Sequence, residues 1–368
     1  MRLQQPDFRF AKFTSVALQL TGAVMEEEPL WPREAGRYVS ERSRDVRVCA
    51  EGVQRVAKML YDLRHSEVLT ARGWSLMNPL APPPGGDAAL NWLLVVDTMN
   101  FSFWPDDLDK QCEVTYKGKM YTGYMTLCAA ITRALDEGVP ITDPDYFSKI
   151  SLEDLARVLR SDTEVPMPML AERLKALTEV GQALLKHSGS GSGSFRSFLE
   201  PCGNDALKMV QRVVELLPSY RDEAVYEGRR VALYKRAQIL VAEVGCVLEA
   251  GGEAPISGMD QLTMFADYRV PQALVHLGVL KYSDDLMNAL KRGEMLSSGD
   301  RREVEIRGCS IDAVEQIKEH LLQLVAQSDG EVCHINSALI DFYLWPYAKE
   351  HHKEMAHIPI HHTRCIYY

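Results

Sequence analysis

Apolar residues recur at steps of three and four along much of the chain, which is the period of an amphipathic helix. The clearest example runs from Met167 to His187, and the same steps return in residues 207–217, 237–248 and 314–325. Each segment gathers its apolar side chains on one face, where they can pack against a core. The pattern therefore predicts four helices.

A second pattern, typical of short strands, occupies Cys112 to Tyr124. Two runs rich in β-forming residues flank Lys117–Gly118, which favours a hairpin. Ser151 and Asp154 have the spacing of a capping box and predict a helix through Arg160. No glycine-rich phosphate motif follows a strand, and strands do not alternate with helices, which disfavours a doubly wound fold. We predict a mainly α protein with a small antiparallel β element.

Two stretches have the composition of connecting loops. Residues 81–87 (APPPGGD) form a Pro/Gly connector, and residues 188–194 (SGSGSGS) form a flexible spacer. The predicted helices on both sides of the spacer are too apolar to be separate solvated units. We predict an N-terminal extension over residues 1–45 and a single compact helical domain over residues 46–368, with a flexible loop at 188–194.

The composition restricts the classes of protein that need to be considered. The chain has 368 residues, of which 46% are hydrophobic and 25% charged, and this excludes disorder over most of its length. A formal net charge of −10 argues against DNA or RNA backbone as the main partner, although one small phosphate needs only a local basic pocket. There is no uninterrupted apolar window of 18 residues, no signal-peptide core and no CxxC pair among eight cysteines. We expect a cytoplasmic protein with reduced thiols and no membrane contact.

The segment from Asp97 to Trp104 combines an acid, an amide and three aromatic rings within eight residues. It is either a core element whose polar groups bind local backbone, or a wall of a binding pocket. In the second case Phe101, Phe103 or Trp104 would stack on a flat ligand. Asn100 would then contact the polar edge of that ligand.

Two charged residues stand in otherwise apolar surroundings. Lys235 lies near the start of the helix predicted over residues 237–248, and it is either a surface lysine with a buried stem or part of a site. Asp267 lies in the aromatic and apolar run from Leu262 to Val270. It is either the N-cap of a helix that begins near Pro271 or a catalytic carboxylate in a dry site.

Five of the ten histidines lie near the C-terminus, which raises the hypothesis of a zinc site. Adjacent histidines cannot easily point at one ion and no HExxH motif is present, so we favour a solvated polar tail without a metal. These residues are His351, His352, His357, His361 and His362. No GxSxG motif or local cysteine context indicates a nucleophile. Gly308 indicates either a turn before a helix or, more weakly, the hairpin of helix-hairpin-helix glycosylases.

Several longer segments carry a resemblance to a known family. They are VVDTMNFSFW, LCAAITRALDEGVPIT, LPSYRDEAVYEGRRVALYKRAQILVA, MFADYRVPQALVHLG, LKYSDDL, EVEIRGCSIDAVE and the tail RCIYY. In this order they closely resemble the queuosine salvage protein family, whose members are queuosine 5′-phosphate N-glycosidases. The resemblance covers about residues 50–368 and is weakest in the first 45 residues, around the spacer and at Gly252–Met259.

The resemblance implies a helical fold related to the helix-hairpin-helix DNA glycosylases. It also implies hydrolysis of queuosine 5′-monophosphate to queuine and ribose 5-phosphate, after which a separate enzyme can return queuine to tRNA. Asp267 matches the catalytic aspartate of the family, and Lys235 matches a lysine near the ligand. The other residues that match the substrate-binding positions are Asn100, Phe101, Phe103, Trp104, Phe265 and, less closely, Asp341 and Tyr343. At Pro346 the family often has an acidic residue, so we assign no contact there.

The chemistry of the implied reaction agrees with these residue types. Cleavage of an N-glycosidic bond builds positive charge on the sugar, and a carboxylate below the anomeric carbon stabilises this charge or orients water. A 7-deazapurine has carbon where purines have a protonatable nitrogen, so the leaving base cannot be activated by protonation at that position. Asp267, substrate distortion and hydrogen bonds to the base edge must then drive catalysis. Lys235 is expected to anchor a phosphate or a sugar hydroxyl, or to keep Asp267 ionised.

Three other functions are alternatives. The first is a repair glycosylase that acts on nucleic acid, which the negative charge and the lack of a basic stripe disfavour. The second is a non-catalytic queuosine- or nucleotide-binding protein, and the third is a metalloprotein built on the C-terminal histidines. We expect a monomer whose partners are the nucleotide and queuine, with no direct nucleic-acid partner and no cofactor.

Overall fold

The architecture comes from a computed structural model, which describes residues 27–107, 110–188, 193–328 and 334–368. Helices dominate these residues, and they are α1 Pro32–Ser40, α2 Ala50–Asp62, α3 Ala71–Met77, α4 Gly86–Thr98, α5 Tyr124–Asp136, α6 Pro144–Phe147, α7 Leu152–Val158, α8 Leu170–His187, α9 Phe195–Leu199, α10 Ala206–Leu216, α11 Lys235–Ala250, α12 Arg269–His276, α13 Asp284–Lys291, α14 Arg301–Gln327 and α15 Ser337–Glu350. The strands are β1 Val46–Val48, β2 Glu113–Tyr116, β3 Lys119–Thr122, β4 Glu223–Tyr226, β5 Arg229–Ala232 and β6 Leu280–Tyr282.

The six strands form three separate antiparallel pairs, so the prediction of a mainly α protein with a small antiparallel element is confirmed. The predicted hairpin is β2–β3, in which Glu113 pairs with Thr122 across the Lys117–Gly118 turn. Both turn residues have positive φ, as tight hairpin turns require. A second hairpin, β4–β5, turns in the same way at Glu227–Gly228 and was not predicted.

The helices predicted from periodicity are confirmed as α8, α10, α11 and α14. Ser151 caps α7, because its hydroxyl accepts a hydrogen bond from the backbone N–H of Asp154 at 3.0 Å. This helix ends at Val158 rather than at the predicted Arg160. No helix within the described ranges is long and apolar enough to cross a membrane.

Both interpretations of Gly308 are wrong, because this residue lies inside α14 and belongs neither to a turn nor to a hairpin. A Cβ atom at Gly308 would lie 2.6 Å from a methyl carbon of Val39, and one at Gly36 would lie 2.7 Å from a methyl carbon of Ile311. The two glycines therefore allow α1 and α14 to pack in close contact. Helix α1 belongs to the predicted extension, but residues 1–26 and residues 189–192 of the predicted loop lie outside the described residues, so the domain boundaries stay a prediction.

The buried apolar side chains form two main clusters. The first is built on α4, α5, α8, α10 and α11, and the second on α1, α2, α12, α13 and α14. The segments that contribute to both clusters include the one before α12 and α15. In the extended segment before α12, Phe265 packs in the first cluster and Ala266 packs in the second. In α15, Phe342 packs in the first cluster and Ile340 packs in the second. Polar residues on these two segments therefore lie where the clusters meet.

Candidate active site

A pocket of about 250 Å³ lies at this junction of the two clusters. Its wall comes from the residues after α4, from α11, from the segment before α12, from α15 and from the C-terminal residues. Seven of the residues singled out from the sequence line it: Asn100, Phe103, Trp104, Lys235, Phe265, Asp267 and Asp341. They come from four distant parts of the chain.

Phe101 and Tyr343 do not line the pocket. Phe101 is fully buried behind the wall, where the guanidinium groups of Arg173 and Arg236 lie 4.5 and 5.2 Å from its ring centroid. Both arginines also donate hydrogen bonds to backbone carbonyls of residues 97–102. Phe101 thus belongs to the support of the loop that carries Asn100. Tyr343 is only partly buried and faces Tyr347 at 6.2 Å between ring centroids.

Asp267 caps a helix and also lines the pocket, while its catalytic role stays a prediction. Its Oδ1 accepts hydrogen bonds from the backbone N–H groups of Arg269 and Val270, both at 2.8 Å, so its side chain caps the first turn of α12. The helix begins at Arg269 rather than near Pro271, and the N-cap position itself is held by Tyr268. No hydrogen bond from the described residues reaches Oδ2. Burial raises the pKa of Asp267, and the charge of Lys235 opposes this shift. The cap fixes one oxygen of a carboxyl group that lines the pocket.

Lys235 is buried, so the interpretation as a surface lysine is wrong. It is the first residue of α11, and its backbone N–H donates a hydrogen bond to Asp222 Oδ2 at 3.0 Å. Burial lowers the pKa of its ammonium, while the charges of Asp267, Asp97 and Asp341 raise it. None of the described residues accepts a hydrogen bond from the ammonium or approaches it as an ion pair. A buried cation is thus held among acids without direct contact.

Asp341 holds the extended segment that leads to Asp267. Its Oδ2 accepts a hydrogen bond from the backbone N–H of Phe265 at 2.9 Å. Burial and the negative charge of Asp267 raise the pKa of Asp341 well above its ordinary value. One carboxyl group therefore positions the backbone two residues before the other.

A second acidic pair, Asp97 and Glu243, lies deeper. Burial raises the pKa of Asp97 to about 6, although the charge of Lys235 lowers it. Burial and then the charge of Asp97 raise the pKa of Glu243 well above its ordinary value. Asn100 donates a hydrogen bond to Asp97 Oδ1 at 3.2 Å. Asp97 Oδ2 and Glu243 Oε2 are buried without a hydrogen-bond partner among the described residues.

Aromatic rings complete the wall. Trp74 stacks on Phe342 with ring centroids 4.0 Å apart and planes at 3°, and Phe265 lies 5.4 Å from Phe342. Trp104 is flanked by the ring of His362 at 4.6 Å and by the guanidinium of Arg364 at 3.5 Å. Flat faces of this kind suit a planar base.

The sequence did not indicate Glu243, Trp74 or Phe342 as pocket residues. Phe342 directly follows Asp341 and could have been included with it. Glu243 carried a weaker signal, because it is one of few charged residues in the apolar α11. For Trp74 no local signal was present, since its place in the pocket depends on contact between α3 and α11.

Behind the pocket, Arg307 on α14 connects the segment before α12 with Asp222, the residue that binds the start of α11. Its Nε donates a hydrogen bond to the carbonyl oxygen of Ala266 at 2.9 Å, next to Asp267. Nη1 and Nη2 bind the Asp222 carboxylate at 3.0 and 2.5 Å, and Nη1 also binds Glu303 at 3.1 Å. Since Asp222 also binds the backbone of Lys235, one guanidinium sets the relative positions of the aspartate segment and the start of α11.

The C-terminal histidines lie in different environments, since His361 is buried and His352 is exposed. No group of three His, Cys, Asp or Glu side chains in the described ranges could hold a metal ion. His361 is buried, and burial lowers its pKa to about 3, while its Nε2 is 3.1 Å from the hydroxyl oxygen of Tyr368. His362 lines the pocket beside Trp104. The interpretation of these two residues as part of a solvated tail is wrong, because they pack against the pocket wall.

Comparison with known proteins shows the family of this chain. Residues 80–368 match the family described as queuosine salvage protein. The chain is 50% identical to a Mus musculus protein over 340 residues, which cover 92% of this chain and 99% of the relative. A Nematostella vectensis relative is 37% identical over 94% of this chain and all of its own length, and one from Sphaerobacter thermophilus is 35% identical over 77% of this chain and 83% of its own. All three bear the name queuosine 5′-phosphate N-glycosylase/hydrolase. The chain belongs to the queuosine salvage protein family.

Proposed function

We propose that this pocket hydrolyses the N-glycosidic bond of queuosine 5′-monophosphate and releases queuine for salvage into tRNA. The observation that carries the proposal is Asp267, a buried carboxyl group whose one oxygen is fixed by two backbone N–H groups in a pocket that also contains a lysine. The substrate is taken from the name that the relatives share, at up to 50% identity over almost the whole chain.

In the proposed reaction, Asp267 faces the anomeric carbon of the ribose. As the bond to the base breaks, positive charge grows on the sugar, and an ionised carboxylate in a water-poor site stabilises that charge strongly. Water adds to the anomeric carbon, and its proton balances the negative charge of the departing base nitrogen. Because burial alone would favour a neutral Asp267, Lys235 has the task of keeping it ionised.

The base is proposed to lie against the aromatic wall, where Phe103, Trp104 and Phe265 are available for stacking. The raised pKa of Glu243 favours its protonated form, which can donate a hydrogen bond to the base edge. The amide N–H of Asn100 is used by Asp97, which leaves the amide oxygen free to accept one. Hydrogen bonds of this kind would stabilise the departing 7-deazapurine, which lacks the nitrogen that purine enzymes protonate.

The proposal also covers location, assembly, partners and fold. We place the protein in the cytoplasm as a monomer, with the nucleotide and queuine as its partners and without a nucleic-acid partner. The formal charge of −10 supports the last of these. We also propose that Asp267 is the catalytic residue. The helical body is proposed to be related to the helix-hairpin-helix DNA glycosylases. Gly308 does not belong to the hairpin of such a fold, so this relation is supported by the family resemblance alone.

The test is incubation of the purified protein with queuosine 5′-monophosphate, followed by chromatography with mass detection of queuine and ribose 5-phosphate. Wild type is compared with Asp267→Asn, in which the amide oxygen can still cap α12 but carries no charge. Asp285→Asn, an exposed aspartate on α13, is the control. We expect Asp267→Asn to lower the rate by about 10²–10⁴-fold.

The other results separate the alternatives. A loss of less than about tenfold would remove the catalytic role from Asp267. Tight binding of the nucleotide by wild type without release of queuine would favour a carrier. Binding of duplex DNA that weakens steeply with salt would favour a repair glycosylase.

A further inference from the structure

Two cations at the outer part of the pocket have no acidic partner. Arg269 is the first residue of α12 and Lys349 lies near the end of α15, and both line the pocket. Among the described residues neither forms an ion pair, and the contacts of their charged groups are with the rings of Tyr268 and Trp345. By contrast, Arg364, which packs on the pocket residue Trp104, is paired with Asp106. Arg269 and Lys349 therefore lie close together on the pocket wall without an ion pair.

These two charges also act on each other. Lys349 is exposed, but desolvation by the surrounding side chains lowers the pKa of its ammonium, and the nearby positive charges of Arg269 and Lys119 lower it further. Like charges held together raise the free energy of the folded protein unless an anion joins them. A chain with a formal charge of −10 has many carboxylates that could have neutralised the pair. Since no described carboxylate forms an ion pair with either cation, both are available to an anion of a ligand.

The position of the two cations relative to Asp267 agrees with one particular anion. Arg269 follows Asp267 by two residues, and its backbone N–H is bound to that carboxylate. Asp341, Trp345 and Lys349 are spaced four residues apart on α15 and all line the pocket, so this face of the helix leads from the acids to the outer cation. In a nucleoside 5′-phosphate the phosphorus atom is five bonds from the anomeric carbon. The phosphate therefore lies near the site of cleavage, on the sugar side and not at the base.

We propose that Arg269 and Lys349 form the subsite for the 5′-phosphate of the substrate, an inference that rests on the proposed function. The guanidinium of Arg269 can bind two phosphate oxygens, and Lys349 adds a point charge. This subsite makes the enzyme selective for the nucleotide over the nucleoside. It also places the sugar so that Asp267 lies below the anomeric carbon.

The experiment compares kcat/KM for queuosine 5′-monophosphate and for queuosine in wild type, Lys349→Met and Arg269→Met. Methionine retains much of the side-chain length without the charge. Lys119→Met is the matched control, because Lys119 is close to Lys349 but does not line the pocket. We expect each pocket variant to lower the nucleotide-to-nucleoside ratio of kcat/KM by about 10–100-fold, the effect of one hydrogen bond to a charged group. We expect Lys119→Met to leave that ratio unchanged.

A second measurement separates failure of the subsite from failure of the proposed function. Ribose 5-phosphate is titrated into the same four proteins by calorimetry, with ribose as the uncharged control. If wild type hydrolyses the nucleotide but the ratio and the binding do not change in the variants, the subsite is wrong and the function stands. If wild type releases no queuine but binds ribose 5-phosphate through Lys349 and Arg269, the function is wrong and the subsite stands. If the wild type neither hydrolyses the nucleotide nor binds ribose 5-phosphate through these two residues, the subsite is wrong. An effect of Lys119→Met equal to that of the pocket variants also overturns it.

Discussion

The protein buries two clusters of charged side chains that differ in how completely they are paired. In the cluster around Arg307, the guanidinium contacts Asp222, Glu303 and the carbonyl of Ala266 at 2.5–3.1 Å, and the Tyr368 hydroxyl donates to Glu303 at 2.9 Å. In the pocket, the Lys235 ammonium has no hydrogen-bond acceptor among the described residues. The two clusters are close together, since Asp222 of the first binds the backbone of Lys235.

The difference indicates what each cluster does. A buried charge without a partner destabilises the folded state by several kcal/mol, whereas a paired one is close to neutral. The Arg307 cluster can therefore serve as structural support, and it holds the segments of Asp267 and Lys235 in place. The pocket cluster keeps polar atoms available at the expense of stability, as expected where a ligand supplies the missing partners.

The largest expected effect tests the paired cluster. Arg307→Met removes the cation and leaves Asp222 and Glu303 buried without it, so we expect the free energy of unfolding to fall by about 3–5 kcal/mol. Urea unfolding measures this change. The control is Arg302→Met on the same helix, whose partly exposed ion pairs contribute at most about 1 kcal/mol. Similar losses in the two variants would contradict the comparison, and Arg307→Lys provides a folded variant if Arg307→Met cannot be purified.

The next prediction concerns the pH dependence of stability. The pKa of Asp97 is raised to about 6 in the folded state, so the folded state holds a proton that the unfolded chain loses near pH 4. This contribution is complete below pH 4 and is lost as the pH rises through 6, by about 3 kcal/mol in total. Asparagine does not titrate, so the stability of Asp97→Asn should not show this fall. The difference in the free energy of unfolding between wild type and variant should therefore change over this pH range. Urea midpoints from pH 4 to 7.5 measure it, and parallel curves for the two proteins would refute the assignment.

Lys235→Met should separate activity from stability. We expect release of queuine to slow by about 10²-fold, because Asp267 loses the charge that favours its ionised form. Since the ammonium has no direct partner, the loss of stability should be much smaller than that in Arg307→Met. Product chromatography and urea unfolding of the same samples measure both quantities. A loss of stability as large as that of Arg307→Met would show that Lys235 is structural.

The sequence predicted those parts of this arrangement that depend on neighbouring residues. The hairpin at Lys117–Gly118 follows from turn chemistry, and the cap at Ser151 follows from a four-residue motif. Lys235 and Asp267 could be selected only through family resemblance, because their local context left two interpretations each.

The sequence could not predict features that depend on packing between distant elements. Gly308 has the local context of a turn, but its conformation is set by contact with Val39 on α1. Trp74 and Phe342 stack although most of the chain separates them. The pairing of Arg307 with Asp222 likewise needs α14 to pass behind the start of α11, which no periodicity indicates.

The smallest effect concerns Tyr368, at the edge of the paired cluster. Tyr368→Phe keeps the ring that lies 4.2 Å from the Arg307 guanidinium but removes the hydroxyl that donates to Glu303 and contacts His361. We expect the free energy of unfolding to fall by about 1.5 kcal/mol, because the Glu303 carboxyl loses a buried donor. Tyr367→Phe is the control, since the Tyr367 hydroxyl has no hydrogen bond to the described residues. If the two variants were equally stable, the hydroxyl would contribute nothing to pairing. The Arg307 cluster would then resemble the pocket more closely than its geometry indicates.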